Sequence, residues 1–199
     1  MSLSSSSDLF LHVHYIAKAM KERKKVLFVS MKLVELNLRI ICSKLAVRWD
    51  PSLIKILEAG EYIGMDLNSG LDKLTEAIES HSADCSVILF EDASLFSHLS
   101  SNPSVILDLI DNFNTNEGIS RALLSFSSDS PLYRLACRSV DFSIVIEPVG
   151  AGFGKDVTGT ITISRLLPDS FLLSSSRLLF LTGERTLKCF HPGNASIFF

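Results

Sequence analysis

Val87-Ile88-Leu89-Phe90, four apolar residues in a row closed by Glu91-Asp92, constrains this chain more than any other segment. A strand that is apolar on both faces needs cover on both, and the interior of a mostly parallel sheet flanked by helices supplies it. Val26-Leu27-Phe28-Val29-Ser30 repeats the pattern. Between such runs the periodicity is helical. Asp8 is a plausible N-cap, and Leu9, Val13, Ile16, Ala17 and Met20 recur at helical spacing up to the basic run Lys21-Glu22-Arg23-Lys24-Lys25, where a helix C-terminus favours cations. Further helices are predicted over Leu33–Leu45, Leu71–Ile78, Val105–Phe113 and Leu132–Arg138, and further strands at Tyr62–Met65 and Arg121–Phe126. After Arg138 the pattern changes. Phe142–Ile146, Gly159–Ile163 and Leu178–Leu181 are strand-like pieces separated by turn residues, which predicts an antiparallel closing section. Ser-rich patches at Ser4–Ser7, Ser97–Ser104, Ser125–Ser130 and Ser174–Ser176 read as loops or strand ends.

At 199 residues the expectation is one α/β domain spanning 1–199, with residues 1–7 disordered. With 47% apolar and 21% charged residues the chain is too apolar to be disordered, and some of the excess is expected to face a partner. Charges interrupt every apolar run short of 18 residues, so no membrane span is expected. Ser4–Ser7 and Asp8 do not read as a secretory signal. A net charge of −3 gives no whole-protein field that would draw in nucleic acid, so any such contact must be a local patch. Cys42, Cys85, Cys137 and Cys189 lie far apart and read as buried thiols of a reducing compartment.

The catalytic motifs are incomplete. An apolar strand ending in Glu91-Asp92 is similar to a Walker B element, whose acid holds magnesium or polarises water at the carboxyl edge of a sheet. The phosphate loop that should accompany it needs G-x-x-x-x-G-K-[ST], and no such segment exists. Gly150-Ala151-Gly152-Phe153-Gly154-Lys155-Asp156 fails on spacing, puts Asp156 where a magnesium-binding hydroxyl belongs, and leads into a β-segment instead of a helix. His12 and His14 are two apart on a helix and face different directions; His81, His98 and His191 lie in separate loops. The reading assigns no catalytic residue, no cofactor and no metal.

The order of elements, the lone Walker-B-like strand and the C-terminal β-section look like a RecA-type ATPase core without its phosphate loop. More narrowly, the run Gly152-Phe153-Gly154-Lys155-Asp156-Val157-Thr158-Gly159-Thr160-Ile161-Thr162-Ile163, continued through Leu178–Leu181, Lys188-Cys189-Phe190 and Pro192-Gly193, resembles the family of the sixth subunit of the Elongator complex. The helix ending at Lys21–Lys25, the strand Val26–Ser30, Lys44-Leu45-Ala46-Val47 and Gly60-Glu61-Tyr62-Ile63 follow that pattern too. The family begins with a strand and a degenerate phosphate-loop turn ahead of the first helix, and this chain is expected to lack that strand.

The resemblance implies a three-layer RecA-like fold, with a mostly parallel central sheet and antiparallel C-terminal strands. It also implies a non-catalytic subunit that forms a heterohexameric ring with Elongator subunits four and five, binds tRNA and supports modification of the wobble uridine, in the cytoplasm and nucleus. In RecA-type rings the loops corresponding to Glu91–Pro103 and Ser127–Pro131 face the pore. Arg134 and Arg138, just beyond the second, are the nearest RNA-contact candidates, with Lys24 and Lys25 as a second basic cluster. The alternatives are an NTPase whose magnesium is handled by Glu91 or Asp92, and a RecA-paralogue accessory protein binding single-stranded DNA in recombination.

Overall fold

Alternate residues of the central strands point to opposite sides, and both sides are apolar, so two layers of helices must close over one sheet. The computed structural model describes residues 9–63, 67–96, 102, 104–127, 129–148, 157–166, 173–183 and 186–193. The chain divides into two compact units, Leu9–Ser139 and a second that takes in Val140–Phe199.

In the first unit, α1 (Leu9–Glu22) leads into β1 (Val26–Ser30), followed by α2 (Glu35–Lys44), β2 (Ile54–Glu58), the short α3 (Ala59–Tyr62) and α4 (Leu67–Ser82). Then come β3 (Val87–Phe90), a 3-10 turn at Ala93–Leu95, α5 (Ser104–Thr115), β4 (Arg121–Leu124) and α6 (Pro131–Ala136). The four strands form one parallel sheet in the order β2-β1-β3-β4, with Val26 opposite Ile54 on one side and Val87 on the other. Val26, Phe28, Val87 and Leu89 pack with Val13 and Ile16 of α1 and with Leu38 and Cys42 of α2. Leu27, Val29, Ile88 and Phe90 pack on the other face with Leu74 and Ile78 of α4 and Ile106 and Leu109 of α5. Three layers result, with every residue of β1 and β3 buried.

In the second unit β5 (Phe142–Pro148), β6 (Gly159–Leu166), β7 (Leu173–Thr182) and β8 (Leu187–Phe190) form an antiparallel meander. Among the described residues this is a four-stranded sheet of its own.

One predicted strand is corrected. The second strand is Ile54–Glu58, whereas Tyr62 closes the helical turn α3. As the edge strand β2 needs cover on fewer sides; it tolerates an exposed Lys55 and a half-buried Glu58, so its composition carries no continuous apolar run. Ser174–Ser176, read as a loop or a strand end, lie at the start of β7: they pair with Arg165, Ser164 and Ile163, their exposed hydroxyl side chains occupying a ladder held by its backbone. The expectation of a missing strand ahead of α1, the disordered residues 1–7 and the glycine-rich run 150–156 lie outside the described residues.

The thiols also differ from expectation. Cys42 and Cys85 are buried, but Cys137 is half-buried and Cys189 exposed. Burial pushes the Cys42 thiol up from 9.0 to about 11. Since its folded value exceeds its unfolded one, the neutral thiol favours the fold fully below pH 9, and that stabilisation is lost as pH rises towards 11. The expected outcome is that wild type loses about 2 kcal/mol more than Cys42→Ala between pH 8 and pH 11, read as urea midpoints. Equal losses would show that burial does not hold this thiol neutral.

Candidate functional site

From β1 the chain crosses to β2 on one side and then returns to β3 on the other. The carboxyl edge between β1 and β3 is therefore the switch point at which open α/β sheets bind ligands. Ser30 ends β1 there and Glu91-Asp92 follow β3.

These groups bond to one another. Glu91 Oε2 accepts a hydrogen bond from Ser30 Oγ at 2.8 Å and from the backbone amides of Lys32 and Leu33, each at 3.0 Å. The Leu33 amide is shared with Ser30 Oγ. A loop whose successive N–H groups converge on one point is an anion-binding arrangement. Here the anion is the chain's own carboxylate, brought from 61 residues beyond Ser30. The amino end of α2 is filled in the same way: Val34 offers no side-chain cap, and Glu58, at the end of β2, accepts the Glu35 amide at 2.7 Å.

Asp92 sits in the left-handed region, φ +50°, which Asp tolerates better than most side chains. Its amide donates to Ser125 Oγ at 3.0 Å, and the Ala93 amide donates to the Ser125 carbonyl at 2.7 Å, fastening the end of β3 to that of β4. Asp92 Oδ2 is ion-paired with the ammonium of Lys32. Lys32 is 57% exposed and Asp92 only 12%, so the cation reaches inward from the rim. Asp92 Oδ1 is buried and has no partner among the described residues. The acid pair that reads as a metal site in sequence thus holds a loop through Glu91 and an internal ammonium through Asp92. No group of three metal-ligating side chains occurs among the described residues.

His81 lies on α4 and not in a loop as expected, and His12 and His14 diverge. His12 is buried with its Nε2 3.4 Å from the Phe90 carbonyl and its ring edge-on to Phe28, whereas His14 is exposed beside Tyr15. Of the RNA-contact candidates, Lys24 and Lys25 lie between α1 and β1, in the middle of the sheet order, and Lys24 pairs with Glu22 at 3.1 Å. Arg134 is exposed on α6 and Arg138 exposed just past it, after the edge strand β4. The two clusters come from separate elements. Sequence reasoning missed Ser30, Lys32, Glu58 and Ser125. A hydroxyl closing an apolar strand with a lysine two residues on is a faint local signal; the partners are distant.

No protein-family model and no curated protein matches the chain. Solved structures do. The chain is similar to the flagellar accessory protein FlaH from Methanocaldococcus jannaschii at TM-score 0.70 and 15% identity, covering 94% of this chain and 85% of that one. It is also similar to the KaiC-like protein PH0186 from Pyrococcus horikoshii OT3 at TM-score 0.63 and 12% identity, again covering 94% and 85%. Identity this low speaks for the fold alone. The chain has a RecA-like α/β fold.

Proposed function

We propose that the chain is a non-catalytic RecA-like subunit of a tRNA-modifying assembly, the counterpart of the sixth subunit of Elongator. In that role it builds a heterohexameric ring with subunits four and five, binds tRNA there and supports wobble-uridine modification without doing the chemistry. The observation that carries the reading is the occupation of the switch point by the chain's own groups: Glu91 bonded to Ser30, Lys32 and Leu33, and Asp92 neutralised by Lys32. A nucleotide-hydrolysing site keeps its strand-end acid for magnesium and its loop amides for phosphate; here both are spent within the fold.

The surface of α2 supports assembly. Leu36 and Ile40, four residues apart on one helix face, are 64% and 44% exposed, with Val34 exposed beside them, an apolar stripe suited to a subunit contact. The place of action is the cytoplasm or nucleus. No described helix is long and apolar enough to cross a membrane.

Affinity purification from the source cell, with identification of the co-purifying chains, tests this. The tagged chain is expected to bring down two further RecA-like subunits and a tRNA-modifying enzyme, and to hydrolyse no ATP when purified alone. A monodisperse monomer that recovers none of them, or turns over ATP unaided, overturns the reading.

A further inference from the structure

The edge opposite the switch point gathers cations from three stretches of the chain. Lys21, Arg23, Lys24 and Lys25 occupy the end of α1 and the step into β1. Arg121 is the first residue of β4, in register with Val87, which is itself in register with Val26, the residue after Lys25. Arg48 lies between the end of α2 and β2, whose first residue, Ile54, also pairs with Val26. Lys18 and Lys44 stand within a turn of the same helix ends, both exposed. Parallel register therefore places all of these at the amino edge, across four strands or about 14 Å.

The acids of that edge are fewer, and Glu22 and Asp50 are engaged. Glu22 pairs with Lys24 at 3.1 Å and Lys18 at 3.9 Å; the Lys24 hydrogen bond, with Lys18 and Arg121 behind it, holds its carboxyl below the usual value. Asp50 is held low by Ser52's hydroxyl and amide, then by Arg23 and Arg48. Asp84 and Glu117, near the strand starts, and Glu79 and Asp111, within a turn of the ends of α4 and α5, stand at the same edge. Lysines 21 and 25 and Arg48 are exposed and form no ion pair among the described residues. In a chain of net charge −3, this edge carries an excess of positive charge and the remainder the compensating negative charge and more, for example Asp72, Glu76 and Asp108, which line one groove between α4 and α5. Such sorting focuses a local field that the net charge conceals.

We propose that the amino edge of the parallel sheet is the chain's RNA-binding surface, contacting successive phosphates through Lys21, Lys25 and Arg48 with Arg23 and Arg121 alongside. The inference deepens the tRNA-binding role proposed above and rests on it. Composition selects a nucleic-acid backbone over a protein partner: protein interfaces are depleted in lysine at their cores, whereas phosphate contacts are made by lysine and arginine without apolar anchors. It also moves the contact away from the loops at the carboxyl edge, where the loop amides between β1 and α2 are held by Glu91 and Glu58.

The test is binding of tRNA to the full chain over a salt series, for wild type, Lys21→Glu/Lys25→Glu/Arg48→Glu and Arg134→Glu, with circular dichroism to establish that each is folded. The triple variant is expected to bind at least tenfold more weakly and to lose about 2–3 from the slope of log affinity against log salt, since each lost phosphate contact removes about 0.7–0.9; Arg134→Glu is expected to cost less. Undiminished binding by the folded triple variant, or a larger loss in Arg134→Glu, overturns the assignment while leaving the assembly reading intact, because co-purification of partners reads that separately. Displacement of tRNA by an equal charge of polyglutamate as readily as by unlabelled tRNA overturns it in favour of an acidic protein. A wild-type chain that binds no tRNA overturns both this surface and the tRNA role.

Discussion

Glu91→Ala is expected to lower the stability of the first unit by about 3 kcal/mol, because truncation removes the charged acceptor on which three donors converge. The Lys32 amide loses its acceptor, while the Leu33 amide keeps Ser30 Oγ and Ser30 Oγ keeps the Leu33 carbonyl, at a site where Ser30 and Glu91 are 2% and 8% exposed. Each hydrogen bond to a charged group is worth about 1.5–3 kcal/mol, and the surviving neutral partners, with water entering the space left by the side chain, hold the total at about 3 kcal/mol. For a chain of this length the shift in melting temperature is about 6–12 °C. Glu91→Gln keeps an acceptor oxygen and loses only the charge assistance, so about 1–2 kcal/mol is expected. Urea denaturation of the three proteins reads the series. A stability within 0.5 kcal/mol of wild type for Glu91→Ala would show that the carboxylate does not hold the β1–α2 loop. The acid would then be free for another role, and ATP binding by the wild type would be the measurement that reads it.

The second large effect is expected at Gly159, in the antiparallel unit. A Cβ placed there would lie 2.5 Å from the Glu147 carbonyl oxygen and 2.6 Å from the nearest ring carbon of Phe180. Gly159 faces Pro148 on one side and Phe180 on the other in the ladder, and Phe180 is buried. The ring could turn aside, but the carbonyl cannot without parting β5 from β6. Gly159→Ala is thus expected to cost about 3 kcal/mol, the upper part of the usual range for overpacking. Gly159→Ala/Phe180→Ala should recover none of it, since the backbone clash persists and a buried ring is lost. Near-ultraviolet circular dichroism with limited proteolysis of this unit checks the expectation; a Gly159→Ala protein as protease-resistant as wild type would refute it.

Different parts of the molecule were legible in the sequence for different reasons. Val26–Ser30 and Val87–Phe90 announce themselves because a strand covered on both faces must be apolar throughout, and both are buried along their length. The helices Leu9–Glu22 and Ser104–Thr115 follow from one-sided apolar spacing against that sheet. Ile54–Glu58 escaped because its edge position relaxes the requirement at Lys55 and Glu58, so nothing in five residues distinguishes it from a turn. Ser174–Ser176 left loop and strand end undecided because an exposed antiparallel strand is held by backbone bonds that any side chain permits. Glu91 and Asp92 were visible as an acidic strand end, but their role was not: the same two letters serve a metal site or a structural anchor according to what converges on them.

Sequence alone set the alternation of helices with buried strands, the closing β-section and the lack of a phosphate loop, since each is written in contiguous residues. Only the tertiary structure decided that Lys32 pairs with Asp92, that Glu91 binds a loop 58 and 59 residues away, and that Lys25, Arg48 and Arg121 share one edge. Those pairings are fixed by the register of parallel strands, which joins segments through long crossovers and so leaves no periodicity in the chain from which they could be read.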